Sequence, residues 1–121
     1  MAISQDTAYN FGQLGSVFND GTDAIKPPLG KVFVAITMVT DVTLDSSNGL
    51  VADTTYTASD GLEYIGNTAA HNLGAGNATA ISGEGGVIVD VSNVFPKGIT
   101  IYGRWTEIDP ASGTIIAYIG E

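Results

Sequence analysis

The sequence predicts an all-β fold: a compact antiparallel β-sandwich or small barrel with an extended N-terminal arm. Three observations lead there. Apolar residues come in short segments rich in Val, Ile and Thr, the residues that fit a pleated surface. Sixteen Gly residues interrupt these segments, as turns between strands require. No stretch carries a sustained apolar stripe with the 3.6-residue period that a long helix needs. At 121 residues the chain matches one compact domain able to bury a core without disulfides. It has no cysteine to form any.

Residues 1–30 form the arm and residues 31–121 the β domain. In the arm, Gly12, Gly15, Gly21 and Gly30 interrupt any regular element, and Pro27-Pro28 closes the segment. Yet Tyr9, Phe11, Leu14, Val17, Phe18 and Ile25 supply more large apolar groups than a solvated linker carries. Such anchors imply that the arm lies on a surface, either this domain's own core or a neighbouring subunit. They are the candidate interface residues, together with Arg104.

The clearest strand is KVFVAITMVT, residues 31–40. Simple alternation places Phe33, Ala35, Thr37 and Val39 on one face and Val32, Val34, Ile36 and Met38 on the other. Both faces are apolar, so both are expected to be covered. The strand pattern continues through Val42 and Leu44 to Ser46-Ser47-Asn48-Gly49, where Asn-Gly signals a tight turn. Residues 50–52 and 62–65 read as short strands. Val87, Val89 and Val91 alternate with Ile88, Asp90 and Ser92, predicting a half-buried strand. After a turn at Phe95-Pro96-Lys97-Gly98, residues 99–108 and 114–119 are expected to form a C-terminal hairpin closed by Asp109-Pro110-Ala111-Ser112-Gly113. In it Ile99, Ile101, Gly103 and Trp105 share the core face, with Thr100, Tyr102, Arg104 and Thr106 opposite. Arg104 is expected in an interface or an ion pair.

Charge narrows the function. Four Lys and Arg face thirteen Asp and Glu, a formal net charge of -9. The cations Lys26, Lys31, Lys97 and Arg104 are scattered, whereas phosphate backbones and anionic headgroups are bound by clustered ones. Neither nucleic acid nor membrane is an expected partner. No apolar run reaches the roughly 20 residues of a bilayer span. The start, Met1-Ala2-Ile3-Ser4-Gln5-Asp6, lacks the basic segment of a secretory signal, so the sequon Asn77-Ala78-Thr79 is read as chance.

No catalytic residue, cofactor or metal is predicted, and the protein is not expected to be an enzyme. His71 is the lone histidine, and no serine sits in a nucleophile elbow near it. One histidine without cysteine cannot build a zinc site. Asp41, Asp45, Asp53 and Asp60 could suggest calcium, but Asp45, Ser47 and Gly49 break the EF-hand pattern. Ser82-Gly83-Glu84-Gly85-Gly86 precedes a strand, lacks a Lys and carries an acidic residue, the reverse of a phosphate loop. Of the aromatics Tyr56, Tyr64, Tyr102, Trp105 and Tyr118, Trp105 is expected to anchor the core. The tyrosines, if exposed, would suit a tail- or fibre-associated carbohydrate- or receptor-binding module, the alternative reading.

The run Phe95-Pro96-Lys97-Gly98-Ile99-Thr100-Ile101-Tyr102-Gly103-Arg104-Trp105-Thr106-Glu107-Ile108, followed by Ala117-Tyr118-Ile119-Gly120, resembles the segment that closes small virion structural proteins of marine tailed bacteriophages. The likeness covers roughly the last thirty residues. It implies a head decoration (cement) protein on the capsid exterior, made in the host cytoplasm. The major capsid protein would be its partner, and it would form trimers or bridge adjacent capsomers. It implies no enzymatic activity and transfers no catalytic residue.

Overall fold

The structure, a computed structural model, describes residues 14–54, 64–67 and 88–121. Every regular element among them is a strand: β1 (Ser16–Asn19), β2 (Val32–Met38), β3 (Val42–Leu44), β4 (Leu50–Ala52), β5 (Val94–Phe95), β6 (Thr100–Ile108), β7 (Pro110–Ser112) and β8 (Ile115–Gly120). A five-stranded sheet has the order β1-β8-β2-β6-β4 and a three-stranded sheet the order β5-β3-β7. All named pairs are antiparallel. The all-β expectation holds. Among the described residues neither sheet closes on itself, so the architecture is an open two-sheet sandwich and not a barrel.

One apolar cluster joins the two sheets. Phe33, Ile36 and Met38 of β2 meet Trp105 and Ile108 of β6 and Ile115 and Ala117 of β8. Val42 and Leu44 of β3 enter the same cluster from the second sheet. Interdigitating inner faces of this kind are what hold a sandwich together.

Residues 99–108 and 114–119 form strands, as predicted, but not a hairpin. β2 inserts between β6 and β8 and pairs with both. β2 is apolar on both faces and would leave a sticky open edge if it lay outside the sheet; a central position pairs both its edges. Being antiparallel to the same strand, β6 and β8 run parallel to each other. The chain must therefore travel back along the sheet between them. β7 makes that journey as a strand of the second sheet, paired with β3.

Simple alternation also fails in β2, at a bulge. Phe33 lies opposite Ile119 and Ala35 opposite Tyr118, so two steps along β2 match one along β8. The extra residue, Val34, resets the pleat. Phe33 and Ile36 thus both reach the core, while Ala35 and Thr37 turn to the outer face of the sheet. The Ser46–Gly49 turn forms, with Asn48 at φ 60°. It carries the chain from the second sheet (β3) to the first (β4). Gly49 is required there by space, since a Cβ would fall 1.9 Å from the Asp45 carbonyl oxygen.

The strand expected from Val87 to Ser92 does not form in its described part. Val89 is buried, but residues 91–92 turn. The Asp90 side chain accepts from the Ser92 backbone N–H at 2.8 Å, and the Asn93 N–H donates to the Asp90 carbonyl at 3.0 Å. A local carboxylate-to-backbone bond competes with the ladder and wins. The expected strand at 62–65 lies mostly outside the described residues.

Candidate functional site

The described part of the arm lies on its own domain. β1 pairs with β8 along Ser16 to Asn19. Ile25 exchanges backbone bonds with Ile108, 2.8 Å from its N–H to the Ile108 carbonyl and 3.0 Å in return. It thereby fills the ladder position beyond the start of β2. Leu14, Val17 and Ile25 pack against the core cluster. Phe18 instead points outward and is 63% exposed. Tyr9 and Phe11 lie outside the described residues.

Arg104 is an ion-pair residue within the chain. Its Nε donates to Asp53 Oδ2 at 3.1 Å and its Nη1 to the Glu121 carbonyl at 2.9 Å. Asp53 is buried, and its backbone N–H donates to the Arg104 carbonyl at 2.8 Å. One guanidinium therefore ties β6 to the end of β4 and to residue 121. The partner stands 51 residues away, a separation that local pattern does not reveal. The neighbouring Trp105 is fully buried, as predicted, and its indole N–H donates to the Ile65 carbonyl at 2.8 Å.

The carboxylates considered for calcium have structural partners. Asp41 accepts from the Lys97 N–H at 2.8 Å and Asp45 from the Ser47 N–H at 3.1 Å; Asp53 holds Arg104. Asp60 lies outside the described residues, as do His71 and the glycine-rich loop at 82–86. Among the described residues no group of three or more His, Cys, Asp or Glu is placed to hold a metal ion. An acidic neighbourhood does exist around Asp109. Burial, then the charges of Asp45, Glu107 and Asp23, push its carboxyl above the ordinary range. Lys26 approaches this group only at 4.0 Å from Glu107.

Among the described residues, two surfaces stand out for recognition. One follows the segment from residue 88 to 99, where Ile88, Val91, Val94 and Ile99 are exposed, with Val39 also exposed. Val39 adjoins Ile99 through the bond from the Met38 N–H to the Ile99 carbonyl at 2.9 Å. The other is the outer face of the five-stranded sheet. There Ala35, Thr37, Thr100, Tyr102 and Tyr118 line a recess of about 260 Å³. The Thr37 and Thr100 hydroxyls share a hydrogen bond of 2.8 Å, and Tyr102 is 61% exposed. Sequence reading missed this recess because its residues come together only when β2 pairs with both β6 and β8. Thr37 and Thr100, polar residues inside apolar strands, were the available signal.

The fold and these surfaces define the class as an open β-sandwich with two candidate recognition faces. No protein-family model, curated protein or solved structure matches the chain.

Proposed function

We propose that the protein is a bacteriophage virion structural protein, a head decoration protein that binds and stabilises the capsid shell through protein–protein contacts. The observation that carries this reading is the exposed apolar rim of Val39, Val91, Val94 and Ile99 on a chain of net charge -9. Large apolar side chains exposed along one segment of a chain with so few charged residues suit a place where another protein docks, and the net negative charge keeps unassembled copies apart. The C-terminal likeness supports the same reading and supplies the major capsid protein as partner. Much of the shared phrase builds the fold: Ile101 and Trp105 reach the core, and Gly103 makes room for the indole. The likeness is thus one of architecture, and the rim is the surface that architecture displays.

Co-sedimentation of the purified protein with undecorated heads tests the proposal. The native chain is expected to bind saturably, and the double variant V91D/V94D to fold yet fail to bind. Absence of the protein from purified virions, together with no binding to heads, would overturn it.

A further inference from the structure

We infer that the outer face of the five-stranded sheet is a binding site for a neutral oligosaccharide laid across the strands. This goes beyond capsid docking and does not depend on it, because none of the residues that line the recess belongs to the rim.

The register builds the face in two rows. In one, Tyr118 of β8 and Tyr102 of β6 stand on either side of Ala35 of β2. In the next, Phe18 of β1 lies opposite Ile116, which is opposite Thr37, which is opposite Thr100. At about 4.8 Å per strand, the three steps from β1 to β6 cover roughly 14 Å. Aromatic rings from β1, β8 and β6 therefore sample a length of about three pyranose units, whose apolar C–H faces stack on aromatic side chains. The recess of about 260 Å³ is smaller than a typical drug-sized pocket of roughly 300–1,000 Å³, and suits one ring.

The polar groups fit the same ligand. When two hydroxyls bond to each other, one proton is used between them; the second proton and unused lone pairs stay available. The Thr37–Thr100 pair thus offers both a donor and acceptors beside the rings, the combination that a sugar hydroxyl satisfies. Among the described residues the recess is lined by no charged side chain, and Arg104, close in sequence to Tyr102, is engaged by Asp53. With a net charge of -9, an anionic glycan would be repelled, so the ligand is neutral. A second copy of this chain is the competing occupant, and the same charge disfavours it.

Titration of the intact protein with neutral oligosaccharides (gluco-, xylo-, manno- and N-acetylglucosamine trimers), followed by amide NMR shifts, tests the site. At least one trimer is expected to shift the Thr37, Thr100 and Tyr102 resonances saturably, with a dissociation constant on the order of 1 mM. Tyr102→Ala and Thr100→Val are each expected to weaken binding about tenfold, with unchanged emission from buried Trp105 as the folding control. The inference is overturned if no trimer shifts these resonances, or if binding survives both variants intact. It is also overturned if the native protein is a dimer that Phe18→Ala converts to monomer, since a second copy would then cover the face.

Discussion

The indole of Trp105 lies against the backbone of Gly103, two residues earlier on the same strand face. A β-carbon at position 103 would stand 2.7 Å from its Cζ2 and 2.9 Å from its Cη2, closer than carbon atoms pack. Because the ring is fully buried and tied to Ile65 by its N–H, it has little room to retreat. Gly103→Ala should therefore destabilise the fold by about 1–3 kcal/mol, the usual penalty of overpacking a core. Urea unfolding followed by tryptophan emission would measure this. An unchanged midpoint would mean that the indole does not rest on residue 103.

Arg104 and Asp53 yield a second prediction, set by burial. Removing the guanidinium breaks its charge-assisted bond to Asp53, which is only 9% exposed, at a cost of about 1–3 kcal/mol for losing a largely buried bond between charged groups. Lys31 and Glu121 form a comparable pair at 3.1 Å but at the surface, where such contacts contribute about 0–1 kcal/mol. Arg104→Ala should thus lower the thermal midpoint clearly more than Lys31→Ala. Arg104→Lys should fall between wild type and Arg104→Ala, because an ammonium lacks the fork that reaches both Asp53 and the Glu121 carbonyl. Equal effects of the two alanine variants would remove Arg104 from this structural role.

These two residues also show what was legible in the sequence. Trp105 was readable as a core anchor because its strand alternates locally. The partner of Arg104 was not, because Asp53 comes close only after β4 and β6 pair. The same division runs through the fold. Strands β2, β3, β4, β6 and β8 announce themselves by β-branched runs, and Asn48-Gly49 by its turn chemistry. The insertion of β2 between β6 and β8 is a choice among distant partners that no local pattern encodes. Bulges are hidden for a related reason: one extra residue at Val34 moves Phe33 to the core and leaves Ala35 and Thr37 outside. The recess was hidden for the same reason as the ion pair: Thr37, Thr100, Tyr102 and Tyr118 meet only after β2 pairs with β6 and β8.

The arm supplies a third prediction. Val17 and Ile25 are half-buried against the domain's own core, whereas Phe18 between them points outward. Val17→Ala and Ile25→Ala should each cost about 1 kcal/mol in chemical unfolding of the isolated protein, and Phe18→Ala less than about 0.5 kcal/mol. If the described arm served only to grip a neighbouring subunit, all three substitutions would leave the isolated domain's stability unchanged. Removing residues 1–25 takes away β1 and the Ile25 bridge to Ile108 together. It should therefore lower stability by more than either point substitution.

Two aspartates should give the protein opposing responses to pH. Burial, and then the charges of Asp45, Glu107 and Asp23, raise the pKa of Asp109 in the folded state. The unfolded chain lacks both effects, so the folded protein binds the Asp109 proton more tightly. Ionised Asp109 opposes folding at neutral pH, and that opposition fades as pH falls through its raised pKa. Asp90 behaves in reverse: the Ser92 hydroxyl and then the Ser92 N–H hold its carboxyl below the ordinary value. Its contribution is present at neutral pH and lost as pH falls through the lowered pKa. Asp109→Asn should thus raise the thermal midpoint at pH 7, with the gain shrinking on acidification to nothing once the native carboxyl is protonated. Added salt should remove only part of that gain, because screening weakens the repulsion from Asp45, Glu107 and Asp23 and leaves the burial penalty in place. Asp90→Ala should lower the midpoint at pH 7 and converge with wild type in acid, at a lower pH than Asp109→Asn does. Thermal melts of both variants from pH 7 into the acid range, at low and high salt, would separate these behaviours. A gain for Asp109→Asn that persisted below the carboxylate range would mean that ionisation at residue 109 is not its source.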